Sequence, residues 1–199
     1  MYKGGFQAHP TTMTAAPETT SPGSALAVVT YWREAGPERW FRKDPAFDAD
    51  FRARFAAAHV AAASGALGAW ADDPVGALAL LILLDQFPRN AYRDTARMFA
   101  TDASARAIAH HAIDRGFDRQ TDIALRSFFY LPFMHSEVLA EQERSVELNA
   151  VLDDNTQRYA VLHRDIVARF GRFPHRNRML GRPSTAQEQK FLDEGGFAG

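Results

Sequence analysis

Apolar residues along this chain recur at the three-to-four-residue spacing of helices, and no segment alternates as a strand would. Ser24–Glu34 reads as a first helix that stops at Gly36-Pro37. Asp44-Pro45 joins an N-cap side chain to a first-turn proline. It opens a helix whose Phe47, Phe51, Phe55, Ala58 and Ala62 share one face. Asp73-Pro74 repeats that start. The helix from Pro74 to about Gln86 is apolar nearly all round, which belongs at the centre of a domain. Pro88 is expected to turn the chain beyond it.

Asp102–Arg115 is the next helix, closed by Gly116. Asp122–Leu131 follows and should stop at Pro132. Ser136 is expected to cap a long helix to about Leu152. From Thr156 to Phe170, Tyr159, Leu162, His163, Ile166, Val167 and Phe170 form one stripe, ended by Gly171. Thr185-Ala-Gln-Glu188 is a capping box for a last short helix. The pattern predicts an all-α single domain, residues 24–199, of about eight helices packed as antiparallel pairs. Residues 1–23 are rich in Thr, Pro and Gly and are expected to be a disordered tail.

Composition changes this picture little. Hydrophobic residues make up 46% and charged residues 24%, so 199 residues can build one ordinary core. Cysteine is absent, which removes disulfides and thiolate chemistry and fits a cytoplasmic protein. The longest apolar run, Ala77–Leu84, is far short of the roughly 20 residues of a membrane span. No apolar segment follows a basic start, so a secretory signal is not expected. Net charge is −1, which makes nucleic acid the weakest of the partner readings. One stretch is locally basic: six arginines lie between Arg164 and Arg182 against the single acid Asp165. Arginine greatly outnumbers lysine throughout, so the clustering is informative and the choice of arginine is not.

Four segments carry a resemblance. They are GPERWFRKDPAFD (36–48), LLDQFPRNAYRDTARMFATD (83–102), FFYLPFMHSEVLAEQERSV (128–146) and HRDIVARFGRFPHRN..LGRPST (163–185). Together they resemble the bacterial family called domain of unknown function 924, over about Leu26 to Gly199. Met134 departs from the charged residue expected before His135. The resemblance implies an all-helical fold similar to tetratricopeptide-repeat superhelices, and it implies no activity. Within the chain, Phe87-Pro88-Arg89-Asn90 is echoed by Phe173-Pro174-His175-Arg176-Asn177, although no period runs through the sequence.

The candidate chemistry sits at helix ends. Asp85, near the end of the central helix, faces the negative pole of the helix dipole and needs a cation. Arg89 and Arg93 are nearest in sequence. His135, Ser136 and Glu137 stand where a helix begins, and free N–H groups there favour anions. His163 lies on an apolar face, where a hydrogen-bonded core histidine is the commoner outcome. Asp165 and Arg169 are spaced for an exposed pair. Arg172, His175 and Arg176 crowd one loop, to be balanced either by an anion or by Asp85, Glu137, Glu141 and Glu143. The catalytic candidates are therefore His135, Glu137 and His175. The ligand-binding candidates are Asp85, Arg89, His163, Arg172 and Arg176. Zincin, di-iron, P-loop, dinucleotide and nucleophile-elbow patterns are all missing, and neither cofactor nor metal is expected. Two functional expectations follow: a small-molecule site for a carboxylate or phosphate, with His135 or His175 moving a proton, and a helical scaffold that binds a protein or peptide.

Overall fold

A computed structural model describes residues 23–198. Among these residues the chain forms only helices and loops. The helices are α1 (Ala25–Ala35), α2 (Pro37–Trp40), α3 (Pro45–Ala63), α4 (Pro74–Leu81), α5 (Phe87–Ala91) and α6 (Asp102–Asp114), then α7 (Phe117–Gln120), α8 (Ile123–Met134), α9 (Leu139–Asn149), α10 (Asp154–Phe170) and α11 (Ala186–Asp193). Eight of them reach eight residues or more. The tail expected over 1–23 falls, Gly23 apart, outside the described residues.

The start signals operate as their chemistry requires. Asp44 Oδ1 accepts from the Ala46 and Phe47 amides, and Asp73 Oδ1 accepts from Val75 and Gly76. Thr185 and Glu188 close a reciprocal capping box. Phe47, Phe51 and Phe55 are buried in one aromatic cluster, with Phe47 and Phe51 on Trp32, Phe51 also on Phe55 and Phe87, and Phe128 on the Trp32 ring. Every residue from Gly76 to Pro88 is buried, which makes this helix the axis of the core.

Both proline expectations fail. The chain does not turn at Pro88. Residues 82–86 widen into a π-turn, with the Phe87 amide donating to the Ile82 carbonyl, and helix continues to Ala91. Proline has no N–H, so the carbonyls of Leu83 and Leu84 lose their helical donors. His59 Nδ1 takes the first at 2.9 Å and Thr101 Oγ1 takes the second at 2.6 Å. Pro132 likewise lies inside α8, which runs on to Met134. Gln142 Nε2 closes that helix by donating to Met134 O (2.7 Å) and Ser136 O (2.6 Å). Ser136 caps no helix. Its hydroxyl accepts from the Val138 amide, and α9 begins only at Leu139 and ends at Asn149.

On α10 the buried seam is Ala160, His163, Ile166 and Val167, whereas Tyr159 and Leu162 are exposed. The seam is narrower than the sequence stripe because α10 packs mainly on α9. Asp165 pairs with Arg164 and not with Arg169. A small second cluster of Ile166, Val167 and Phe173, joined by Phe170, Phe191 and Phe197, lies under the C-terminal segment.

Candidate functional site

Asp85 occupies the π-turn, with its side chain 1% exposed. Its Oδ1 accepts from His135 Nδ1 at 2.8 Å, and Arg89 Nη1 lies 3.2 Å away. Its Oδ2 accepts from Gln86 Nε2 at 2.5 Å. Arg89 Nη1 also donates to the Asp85 carbonyl (2.6 Å) and to Asp102 Oδ1 (3.0 Å). The other oxygen of Asp102 accepts from Arg176 Nη1 at 3.4 Å. The guanidinium of Arg176 lies between the rings of Phe99 and Phe173, 4.6 and 4.5 Å from their centroids. The two arginines that share a position in the Phe-Pro-…-Arg-Asn echo thus converge on one carboxylate. The echo's other members behave alike as well. Phe87 and Phe173 are fully buried, and Asn90 and Asn177 each donate to a carboxylate, Asp48 and Glu188 respectively.

Two more histidines border this cluster. His163 Nδ1 lies 2.8 Å from Tyr159 O, and both His163 and His175 pack on the rings of Phe173 and Phe197. Glu137 accepts from the Phe173 amide at 2.8 Å and is gripped by Arg182 through two nitrogens, at 2.6 and 2.9 Å. The sequence candidates Asp85, Arg89, His135 and Arg176 therefore share one network. His163, His175 and Glu137 border it. Arg172 stands apart, bound by two nitrogens to Glu188 at 2.6 and 2.8 Å, where it fixes α11.

Sequence reasoning missed three partners. Asp102 holds the two arginines together, but at the first position of α6 it reads as an ordinary dipole-complementing acid. Glu188 balances Arg172, although its place in the capping box already explained it. Arg93, an expected partner of Asp85, instead grips Asp48. Of the acids proposed to balance the 172–177 loop, Glu137 accepts from the Phe173 amide but pairs with Arg182, beyond the loop, and Glu141 meets His110.

The electrostatics favour neutral histidines beside ionised carboxylates. Burial pushes His163 down to about 4, and nearby His135 and Arg176 add to the effect. Burial and Arg176 push His175 down to about 3. His135 is lowered by burial and by Arg89, with Asp85 opposing. Burial works against the Asp85 carboxylate, but neighbouring charge outweighs it and holds its pKa below the usual range. With His135 neutral, that charge is Arg89's. Burial and repulsion from Arg89 bring Arg176 down to about 10, still cationic at neutral pH. An ionised Asp85 keeps the proton of His135 on Nδ1 and leaves a lone pair on Nε2. That is the arrangement of a carboxylate-oriented general base. Three buried nitrogens in and beside this network, Arg89 Nη2, Arg176 Nε and His175 Nδ1, have no hydrogen-bond partner. Among the described residues, no group of three or more His, Asp or Glu side chains is arranged to hold a metal ion. No helix there is long and apolar enough to cross a membrane.

A helical domain with a buried Asp–His–Arg network at a π-turn defines the class. The family follows from comparison: residues 28–196 match the model for a bacterial protein of unknown function, domain of unknown function 924, and the chain belongs to that family. It is also similar to a solved structure, a protein of unknown function, ATU0120, from Agrobacterium tumefaciens. The two share 51% identity and a TM-score of 0.85 over 86% of this chain and 97% of the other. No curated protein matches.

Proposed function

We propose that the protein binds a small carboxylate- or phosphate-bearing molecule at Arg89 and Arg176, and that the Asp85–His135 pair moves a proton on it. The observation that carries this reading is the pair of buried guanidinium nitrogens, Arg89 Nη2 and Arg176 Nε, left without partners. A buried donor without an acceptor costs roughly 1–3 kcal/mol, more when charged. An oxyanion supplies the missing acceptors, and guanidinium forks suit it in geometry and charge. The π-turn adds weight, since such turns are frequent at functional sites.

Charge sets a condition on this binding. Arg89 and Arg176 already face Asp85 and Asp102, so an added anion leaves the network net negative. Protonation of His135, 16% exposed and touching Asp85, is the nearest compensation. Anion binding should therefore take up a proton and weaken as pH rises. The test is thermal unfolding with inorganic phosphate and with succinate at pH 6 and pH 8. Ligand at a hundred times its dissociation constant stabilises by about 2.7 kcal/mol. We expect a rise in Tm that is larger at pH 6, and His135→Asn should remove the pH difference while keeping a donor for Asp85. A Tm indifferent to both anions at both pH values sinks the proposal.

The close packing of α8 on α9 and of α9 on α10 supports a finer reading of the fold, as antiparallel helix pairs of the tetratricopeptide kind. The lack of cysteine supports a cytoplasmic setting. The scaffold alternative has less behind it. Its best feature is exposed apolar residues such as Phe41, Val60 and Val151, and these sit on different elements.

A further inference from the structure

A second polar feature lies on a different part of the fold. The end of α6, together with α7, α8 and α9, walls an open cleft of about 410 Å³. That volume falls within the usual range of small-molecule sites, roughly 300–1,000 Å³. Asp118 lines it and is only 5% exposed. Its Oδ2 accepts from Tyr130 Oη at 2.8 Å, while its Oδ1 is buried without a partner. Three arginines line the same cleft, together with Asp114 and Glu147. Arg126 gives its hydrogen bonds to backbone carbonyls, Asp118 O at 3.0 Å and Thr121 O at 3.5 Å. Arg119 is exposed and, like Arg126, forms no ion pair among the described residues. Arg144 is already paired with Glu147. Leu148 and Val151 supply an apolar wall.

We infer that this cleft binds a small α-amino acid with an apolar side chain: its carboxylate on Arg119 and Arg126, its ammonium on Asp118 Oδ1, its side chain against Leu148 and Val151. The three parts of such a molecule answer the three parts of the cleft. A buried carboxylate oxygen without a donor is costly, and an ammonium both bonds to it and offsets its charge. Two guanidinium groups without carboxylate partners suit the ligand's carboxylate. The buried Tyr130 hydroxyl locks the far oxygen of Asp118, so the free one keeps a fixed place. This site shares no residue with the Arg89–His135 network, and the two stand or fall separately.

Backbone-amide NMR during titration with L-leucine tests it, beside isocaproate, which lacks the ammonium, and isoamylamine, which lacks the carboxylate. The expected result is saturable shifts at residues 113–119, 126–130 and 144–151 with leucine, and at least tenfold weaker binding of each analogue. Arg119→Ala alters an exposed side chain that makes no hydrogen bond among the described residues and should fold normally. It should weaken leucine binding about tenfold, the size of one charge-assisted hydrogen bond. Three results overturn the inference: no shifts with leucine, shifts confined to other regions, or isocaproate binding as well as leucine.

Discussion

Acid should unfold this protein through its histidines before its carboxylates matter. His163 and His175 are held neutral in the fold, with pKa values of about 4 and about 3, against an ordinary value near 6.5 in the unfolded chain. The native state therefore binds fewer protons than the unfolded state between these limits, and stability must fall as pH falls. Between pH 7.5 and pH 5 each residue contributes a loss of about 2 kcal/mol, so the two together contribute about 4 kcal/mol. His59 and His135 are lowered as well and act in the same direction. A loss of that size is a large part of a typical stability of roughly 5–15 kcal/mol. The carboxylates held low, Asp85, Glu137 and Glu188, contribute stability that is present above their unfolded values and lost only as pH drops through their folded ones. The window from pH 7.5 to 5 therefore isolates the histidines. Urea unfolding at half-unit steps across it measures the slope directly. His163→Asn keeps a donor for the Tyr159 carbonyl but cannot titrate, and should recover about 2 kcal/mol of the loss. A stability that is flat to pH 5, or an unchanged slope in His163→Asn, would refute the assignment of neutral buried histidines.

The other predictions concern what holds the central helix and its neighbours. Gly76→Ala drives a methyl into the Trp70 carbonyl oxygen and should cost about 1–3 kcal/mol by overpacking, read as a lower urea midpoint at unchanged m-value. Thr101→Val strips the Leu84 carbonyl of its donor inside the core and should cost about 1–3 kcal/mol, whereas Thr101→Ser should cost much less. Thr185→Ala removes one cap of α11, about 1 kcal/mol. Glu188→Ala should cost more, since Glu188 also takes both Arg172 bonds, and limited proteolysis should then cut near 185–193 sooner than in Thr185→Ala.

Most helix starts were legible because a cap is a local device: Asp44, Asp73 and Thr185 meet amides within three residues of themselves. The prolines were not, because what allows Pro88 to sit in a helix is remote. His59 and Thr101, 24 and 17 residues from the carbonyls they serve, restore what the proline removes, and no local pattern names them. The candidate site divides along the same line. Asp85, Arg89, His135 and Arg176 stood out because their local settings left them unexplained. Asp102 did not, because an acid in the first turn of a helix already has a sufficient reason to be there, and Asp118 did not, because the four-residue helix that holds it is too short to show a period in the sequence. Both do something more in the fold. Asp102 divides its oxygens between Arg89 and Arg176, and Asp118 keeps one oxygen unmatched beside a cleft. A residue that satisfies a local rule can still be the hinge of a distant network. A carboxylate with a sufficient local reason, as Asp102 has at the start of α6, is thus where sequence reading is most readily satisfied too early.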